Sequence, residues 1–157
     1  MDDHILRPHG HNLHIGRVAL PDHVYLVTTV THQQLDLFSD FHIGRLVIRA
    51  LRHQHDLGIV NSLGFVLMPD HLHWLFHLGP RADIARVMAF TKAMSTRRIN
   101  ARLNTPGRKI WQSGFHNHAL HPTKDLRDLA RCMVAKPLRA GLVSRIGDYP
   151  LWDAVWL

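Results

Sequence analysis

Two histidines separated by one apolar residue are the most chemically informative feature of this chain. His71, Leu72 and His73 begin an apolar run that predicts a β-strand over residues 71–78. Side chains alternate along a strand, so His71 and His73 share one face and Leu72 points to the other. Two imidazoles on one face supply half of a divalent-metal site, and a metal there would polarise a phosphate. The spacing alone does not exclude a strand that simply carries two of the chain's 15 histidines.

The strands that must position this pair are predicted from β-branched and aromatic runs. Residues 24–31 form a first strand and residues 59–67 a second. The turn Met68-Pro69-Asp70 connects the second strand to the strand of the histidines. This pair is expected to be an antiparallel hairpin that places both histidines on a central strand.

Three helices are predicted around these strands. The first runs to about residue 57 with Asp40 as its N-cap, and the second spans residues 82–103. The third runs from about Thr123, its expected N-cap, to residue 135, and Pro137 is expected to end it. Residues 110–120 are expected to be extended. The order of these elements predicts an α+β fold: a ferredoxin-like antiparallel sheet with helices packed on it.

Composition and charge narrow the class of protein. With 157 residues, the chain is expected to hold one domain over residues 18–157, preceded by a flexible segment over residues 1–17. Lys and Arg number 19 against 12 Asp and Glu, which favours a polyanionic partner, nucleic acid first and an anionic membrane second. No apolar run reaches the length of a membrane span and no signal peptide is visible, so a cytoplasmic location is expected. The single cysteine, Cys132, excludes an internal disulfide and a cysteine-based zinc cluster.

Four sequence segments extend the histidine pair into a family pattern. In order and spacing, they resemble the REP-associated single-tyrosine transposases of the HUH endonuclease superfamily, and the resemblance covers nearly all of residues 18–157. The segments are residues 24–29 (VYLVTT), 66–73 (VLMPDHLH), 110–116 (IWQSGFH) and 137–143 (PLRAGLV). Several segments at matched spacing are far more specific than the two histidines alone.

This resemblance implies a ligand and a reaction. Such proteins bind hairpins of single-stranded DNA from repetitive extragenic palindromes (REP), as monomers or homodimers. A divalent metal, Mg²⁺ or Mn²⁺, held by the residues that match His71 and His73 polarises the scissile phosphate. A tyrosine on the last helix attacks the phosphorus, becomes linked to the 5′ end and frees a 3′ hydroxyl.

The chain departs from the family pattern at two positions of that helix. The family reads Arg-Tyr-Ile-x-x-Asn-Pro-x-Arg-Ala-Gly, whereas residues 131–141 read RCMVAKPLRAG. Cys132 therefore stands at the position of the nucleophilic tyrosine, and Lys136 at that of the asparagine expected to face the metal. Residues four apart share a helix face, so both changes fall on the same site. We expect hairpin binding with strand cleavage absent or strongly impaired.

Each of these two residues leaves an alternative open. Cys132 could act as a thiolate nucleophile, although its side chain is shorter than tyrosine by an aromatic ring. An ammonium has no lone pair for a metal, so Lys136 is a doubtful ligand and could instead grip a phosphate directly. Neither of the two tyrosines, Tyr25 and Tyr149, stands at the family position, and both are expected to pack in the fold.

Further contacts to nucleic acid are expected on the second helix and after the third. The alternative for the second helix is a solvated basic face, and Arg139 could cap carbonyls of the third helix instead. The candidate phosphate-binding residues are Lys92, Arg97, Arg98, Arg102 and Arg139.

Two other classes of function compete with a transposase. One is a binding protein that holds hairpin DNA or RNA on the same fold without cutting it. The other is an unrelated metal-dependent hydrolase built on His71 and His73. The hydrolase is the weakest hypothesis, because no acidic residue other than Asp70 lies near them in the sequence.

Overall fold

Five strands form one antiparallel sheet at the centre of the fold. The computed structural model describes residues 23–120 and 125–155, so the predicted flexible segment 1–17 lies outside the described residues. The strand order across the sheet is β4-β1-β3-β2-β5. The strands are β1 (Val24–Val30), β2 (Val60–Met68), β3 (His71–Leu78), β4 (His116–Leu120) and β5 (Trp152–Ala154).

Helices connect these strands in the predicted order. The segment β1-α1-β2-β3-α2-β4 has ferredoxin-like topology, which confirms the predicted fold class and places β3 in the middle of the sheet. The helices are α1 (Phe41–Asp56), α2 (Ile84–Leu103), α3 (Leu126–Val134) and α4 (Lys136–Arg139). Within the described ranges, no helix is long and apolar enough to cross a lipid bilayer.

The sheet has two faces with different coverings. We call the face that carries His71 and His73 the histidine face, and the opposite one the α1–α2 face. On the latter, a Cβ built at Gly44 of α1 would lie 3.3 Å from Leu67 Cδ2, and α1 packs against α2. On the histidine face, a Cβ built at Gly64 of β2 would lie 3.3 Å from Met133 Cε of α3. The α3 helix therefore covers part of the histidine face.

Aromatic side chains fill the layer under α1 and α2. Trp74 and Trp111 are buried, as core packing requires, and each satisfies its indole N–H inside the fold. Trp74 Nε1 donates to Ser62 Oγ at 3.0 Å, and Trp111 Nε1 donates to Ser95 Oγ at 2.9 Å. Neither ring is available to stack on an unpaired base.

Acidic residues begin the three longer helices. Asp40 accepts hydrogen bonds from the backbone N–H groups of His42 and Ile43, which confirms the predicted cap of α1. Asp83 caps α2 in the same way. The N-cap of α3 is Asp125, which accepts from Asp128 N at 3.1 Å. The predicted cap Thr123 lies outside the described residues.

The C-terminal region differs from the prediction in three respects. Pro137 does not end a helix: α3 ends at Val134, and Pro137 lies in the first turn of α4, where its missing N–H removes no helical bond. Residues 110–115 contain no strand, and β4 begins at His116. The sequence does not predict the short strand β5, which pairs with Gly64–Val66 of β2. Three residues are too few to show a periodic pattern.

Candidate functional site

The two histidines of β3 lie side by side on the histidine face, as their spacing predicts. Their ring centroids are 4.7 Å apart and the rings meet edge to face at 84°. Leu72 between them is fully buried in the opposite layer. His73 is only 2% exposed, whereas His71 is half-buried at the start of the strand.

A second residue orients each imidazole through Nδ1. Thr28 Oγ1 lies 2.9 Å from His73 Nδ1, because β1 pairs with β3 in the register that places Thr28 opposite His73. Asp70 Oδ1 lies 2.5 Å from His71 Nδ1 across the β2–β3 turn. Because both of these contacts are made by Nδ1, the Nε2 atoms of the two rings are the ones that a ligand would bind. His73 Nε2 is buried and has no hydrogen-bond partner among the described residues.

His73 is uncharged at neutral pH. Burial lowers its pKa well below the usual range, because the charged imidazolium loses its hydration inside the protein. The charges of His71, Lys136 and Arg139 lower that pKa further. The last two contributions show that cations from α4 act on the ring of His73.

Cys132, Lys136 and Arg139 lie on one side of the segment formed by α3 and α4. Arg139 Nη2 donates to the Cys132 carbonyl at 2.8 Å, and Arg139 Nη1 lies 3.6 Å from Cys132 Sγ. Arg139 thus caps a carbonyl of the last turn of α3, one of its two predicted roles. Because the Ala135 N–H bonds to the Arg131 carbonyl, the backbone between the two helices stays nearly helical. Lys136 therefore lies between Cys132 and Arg139 on this side of the segment.

These residues do not fit a divalent metal well. The two Nε2 atoms are suitable nitrogen ligands, and the buried, unpaired one on His73 is an orphan that a ligand would satisfy. Among the described residues, however, no group of three His, Cys, Asp or Glu side chains could hold an ion. Lys136, at the position of the family's asparagine, is a cation whose charge lowers the pKa of His73. Mg²⁺ moreover prefers oxygen ligands.

The basic residues of α2 lie beyond the α1–α2 face rather than on the histidine face. Arg97, Arg98 and Arg102 are exposed there. Lys92 instead turns inward: its ammonium donates to the Gln112 carbonyl at 2.8 Å and to the carbonyl of Gly114. Burial lowers the pKa of Lys92 to about 8, with a further contribution from the nearby charge of Lys109.

An open groove of about 650 Å³ lies between α2 and residues 107–114. The backbone N–H of Gln112 bonds to the carbonyl of Val30, the residue of β1 that pairs with His71. The groove therefore lies at the end of the sheet where the histidine pair begins. Its polar lining includes Lys92, Arg97, Asn100, Lys109, Gln112 and Ser113.

Four residues of this region carry no signal of their role in the sequence. Thr28 could be recognised only from the β1–β3 register, and Asp70 only from the shape of the turn. His116 and His118 belong to the histidine face because they pair with Thr28 and Leu26. The third histidine of that region, His121, lies outside the described residues.

Comparison with known proteins identifies the family. The model of the IS200-like transposase family matches residues 23–121, which is more than half of the chain. The chain therefore belongs to the IS200-like transposases. No curated protein matches it.

Two solved structures share the fold. A REP-associated tyrosine transposase bound to a REP hairpin has a TM-score of 0.68 at 18% identity, covering 87% of this chain and 79% of that one. A proposed transposase from Deinococcus radiodurans R1 has a TM-score of 0.53 at 20% identity, covering 74% of this chain and 92% of that one. Both comparisons confirm the fold, an antiparallel sheet with helices packed on it.

Proposed function

We propose that this protein binds hairpin-forming single-stranded DNA of the REP type. The observation that carries the proposal is the cationic side of α3 and α4, where Lys136 and Arg139 act on the buried His73 in a protein of a transposase family. The likeness to a transposase bound to a REP hairpin supports this ligand. The net charge of +7 favours a polyanion in general.

We infer that strand cleavage is absent or strongly impaired. Tyr25 packs on the α1–α2 face against Phe76, with ring centroids 6.3 Å apart, and the hydroxyl of Tyr149 donates to the carbonyl of Leu67. These are the only tyrosines of the chain, so the histidine face has no phenol to attack a phosphate. Mg²⁺ or Mn²⁺ at His71 and His73 would bind weakly, because Lys136 offers a cation where the family has the oxygen of an asparagine.

One observation favours a second candidate, cleavage by Cys132. Its sulfur lies 3.6 Å from Nη1 of Arg139, a cation that could hold the phosphate beside it, and sulfur is an intrinsically strong nucleophile. In this reaction an Sγ–P bond forms, the P–O3′ bond breaks and the 3′ oxygen takes a proton. The product would be a protein–DNA adduct with a free 3′ hydroxyl.

The experiment compares hairpin binding and adduct formation in one set of variants. A labelled REP-type hairpin and an unpaired strand of the same composition are incubated with the protein and Mn²⁺. Gel shift reports binding, and a denaturing gel reports the covalent adduct. The variants are Cys132→Ser, Cys132→Tyr and the double variant Cys132→Tyr, Lys136→Asn.

The proposal predicts that the unmodified protein shifts the hairpin in preference to the unpaired strand and forms no adduct. The double variant is expected to form one, because it restores both the phenol and a neutral oxygen ligand. Loss of the hairpin preference would refute the proposed ligand. An adduct with the unmodified protein that Cys132→Ser abolishes would establish the second candidate.

A further inference from the structure

We propose that Lys136, Arg139 and Nε2 of His73 form a metal-independent site for one phosphodiester oxyanion. This inference rests on the proposed function, because it assumes that the phosphate belongs to the bound DNA. It assigns to this chain an anion site in the place where a dication would be expected.

The first argument is the position of the two cations. Arg139 contacts Cys132 seven residues earlier, so the side of the helical segment that carries Cys132 also carries Arg139 and, between them, Lys136. Both α3 and α4 pack against β2, whose Val66 and Met68 pair with His73 and His71. Two positive charges therefore border the histidine pair, where they repel a dication and attract an anion.

The second argument is the unsatisfied nitrogen of His73. A buried polar atom without a partner is costly, and a ligand at this site would remove that cost. A metal would need the lone pair on Nε2, with the proton on Nδ1 donated to Thr28. An anion needs the other tautomer, in which the Thr28 hydroxyl donates to Nδ1 and Nε2–H points into the site. The 2.9 Å contact between Thr28 and His73 accommodates both tautomers.

A bound anion favours the second tautomer, because Nε2–H donates a hydrogen bond to it whereas a lone pair on Nε2 would repel it. In this arrangement the ring of His73 contributes a hydrogen bond through Nε2, which has no partner in the described part of the chain, while Lys136 and Arg139 contribute the charge. The carboxylate of Asp70 contacts the pair through Nδ1 of His71. A phosphate oxygen bound by an ammonium, a guanidinium and an imidazole N–H has charge-assisted donors on several sides.

The first test needs no DNA. Long-range ¹H–¹⁵N spectra of the full chain identify the His73 tautomer, and titrations with inorganic phosphate and with MnCl₂ follow its ring signals. We expect phosphate to shift these signals and to select the Nε2–H tautomer, and we expect no paramagnetic broadening at submillimolar Mn²⁺. In Lys136→Asn the phosphate shift should be lost and Mn²⁺ broadening should appear.

The second test measures the affinity for the hairpin against salt concentration, in EDTA and in Mn²⁺. Lys136→Gln should lower the affinity about tenfold and reduce the slope of log K against log salt by about 0.7, because one phosphate contact to a single strand is lost. Arg52→Gln is the matched control: it removes one charge from an exposed arginine of α1, which pairs with Asp56 at 3.6 Å. EDTA should leave the affinity of the unmodified protein unchanged.

The outcomes separate this inference from the proposed function. Broadening of His73 by Mn²⁺ in the unmodified protein, or an affinity lost in EDTA, overturns the anion site even where the hairpin binds. Equal slopes for Lys136→Gln and Arg52→Gln also overturn it. A phosphate shift at His73 in a protein that fails to bind hairpins supports the anion site and refutes the proposed ligand.

Discussion

At the scale of single residues, the site depends on how each histidine is oriented. The pair itself follows from its spacing, because alternation along a strand is a local property. The partner of His73 does not, since Thr28 lies 45 residues away and reaches it only through the pairing of β1 with β3. The orientation of the His73 ring therefore depends on a contact that spacing cannot indicate.

Thr28→Val tests the value of this contact. Valine has a similar shape but no hydroxyl, so Nδ1 of the buried His73 loses its partner. We expect the free energy of unfolding to fall by about 1–3 kcal/mol, the range for an unsatisfied buried polar group. Urea denaturation measures it. Thr96→Val on α2, where Thr96 is half-buried, is the control and should change stability by less than about 0.5 kcal/mol. Equal effects of both changes would show that the contact contributes nothing.

At the scale of elements, α2 has two roles that its sequence does not separate. Its basic residues look alike in the sequence, yet Lys92 joins α2 to the loop of residues 112–114 while Arg97, Arg98 and Arg102 remain exposed. Arg97, Arg98 and Arg102 keep their full charge available to a phosphate without breaking a contact of the fold. Lys92 is better described as a residue that positions one wall of the groove.

The pKa of Lys92 leads to a prediction about stability and pH. Its pKa is lowered from 10.5 to about 8 in the folded chain, so between these values the unfolded chain holds a proton that the folded chain has released. Stability from this group therefore rises as pH rises from about 8 to 10.5. The neutral amine still has two N–H groups for the carbonyls of Gln112 and Gly114.

The measurement compares the unmodified protein with Lys92→Met, which cannot titrate. Chemical denaturation between pH 7 and 10 gives the difference in unfolding free energy at each pH, and the subtraction removes the titration of other groups. The unmodified protein should gain stability relative to Lys92→Met above pH 8. A difference independent of pH would show that Lys92 keeps an ordinary pKa in the folded chain.

At the scale of the whole molecule, positive charge is distributed unevenly. The net charge is +7, but Arg45 and Arg52 of α1 line a groove with Asp56 and Asp153, which offset them. The groove beside α2 contains Lys92, Arg97 and Lys109 and lies at the end of the sheet where His71 begins. We expect DNA to follow this second groove towards the histidine face.

Two triple variants with the same net charge test whether the exposed arginines of α2, of which Arg97 lines this groove, guide the DNA. Arg97→Gln, Arg98→Gln, Arg102→Gln removes three charges from α2, and Arg45→Gln, Arg49→Gln, Arg52→Gln removes three from α1. The α2 variant should reduce the salt slope of hairpin binding by about 2, since each contact to a single strand contributes about 0.7. Fluorescence anisotropy over a range of salt concentrations measures both slopes. If the two variants behave alike, binding responds to net charge and not to the arginines of α2.

The sequence by itself determined the family, the order of the elements along the chain from β1 to α3, the shared face of His71 and His73, and the absence of a tyrosine at the expected position. These are local or pattern-level properties: alternation, capping residues and turn residues act over a few neighbours. The tertiary structure decided what the site contains. It brought Thr28 to His73, set Lys136 and Arg139 beside that ring, turned Lys92 inward and added β5 to the sheet. Each of these depends on strand register or helix packing between residues far apart in the chain, and such contacts form only when the whole core is buried.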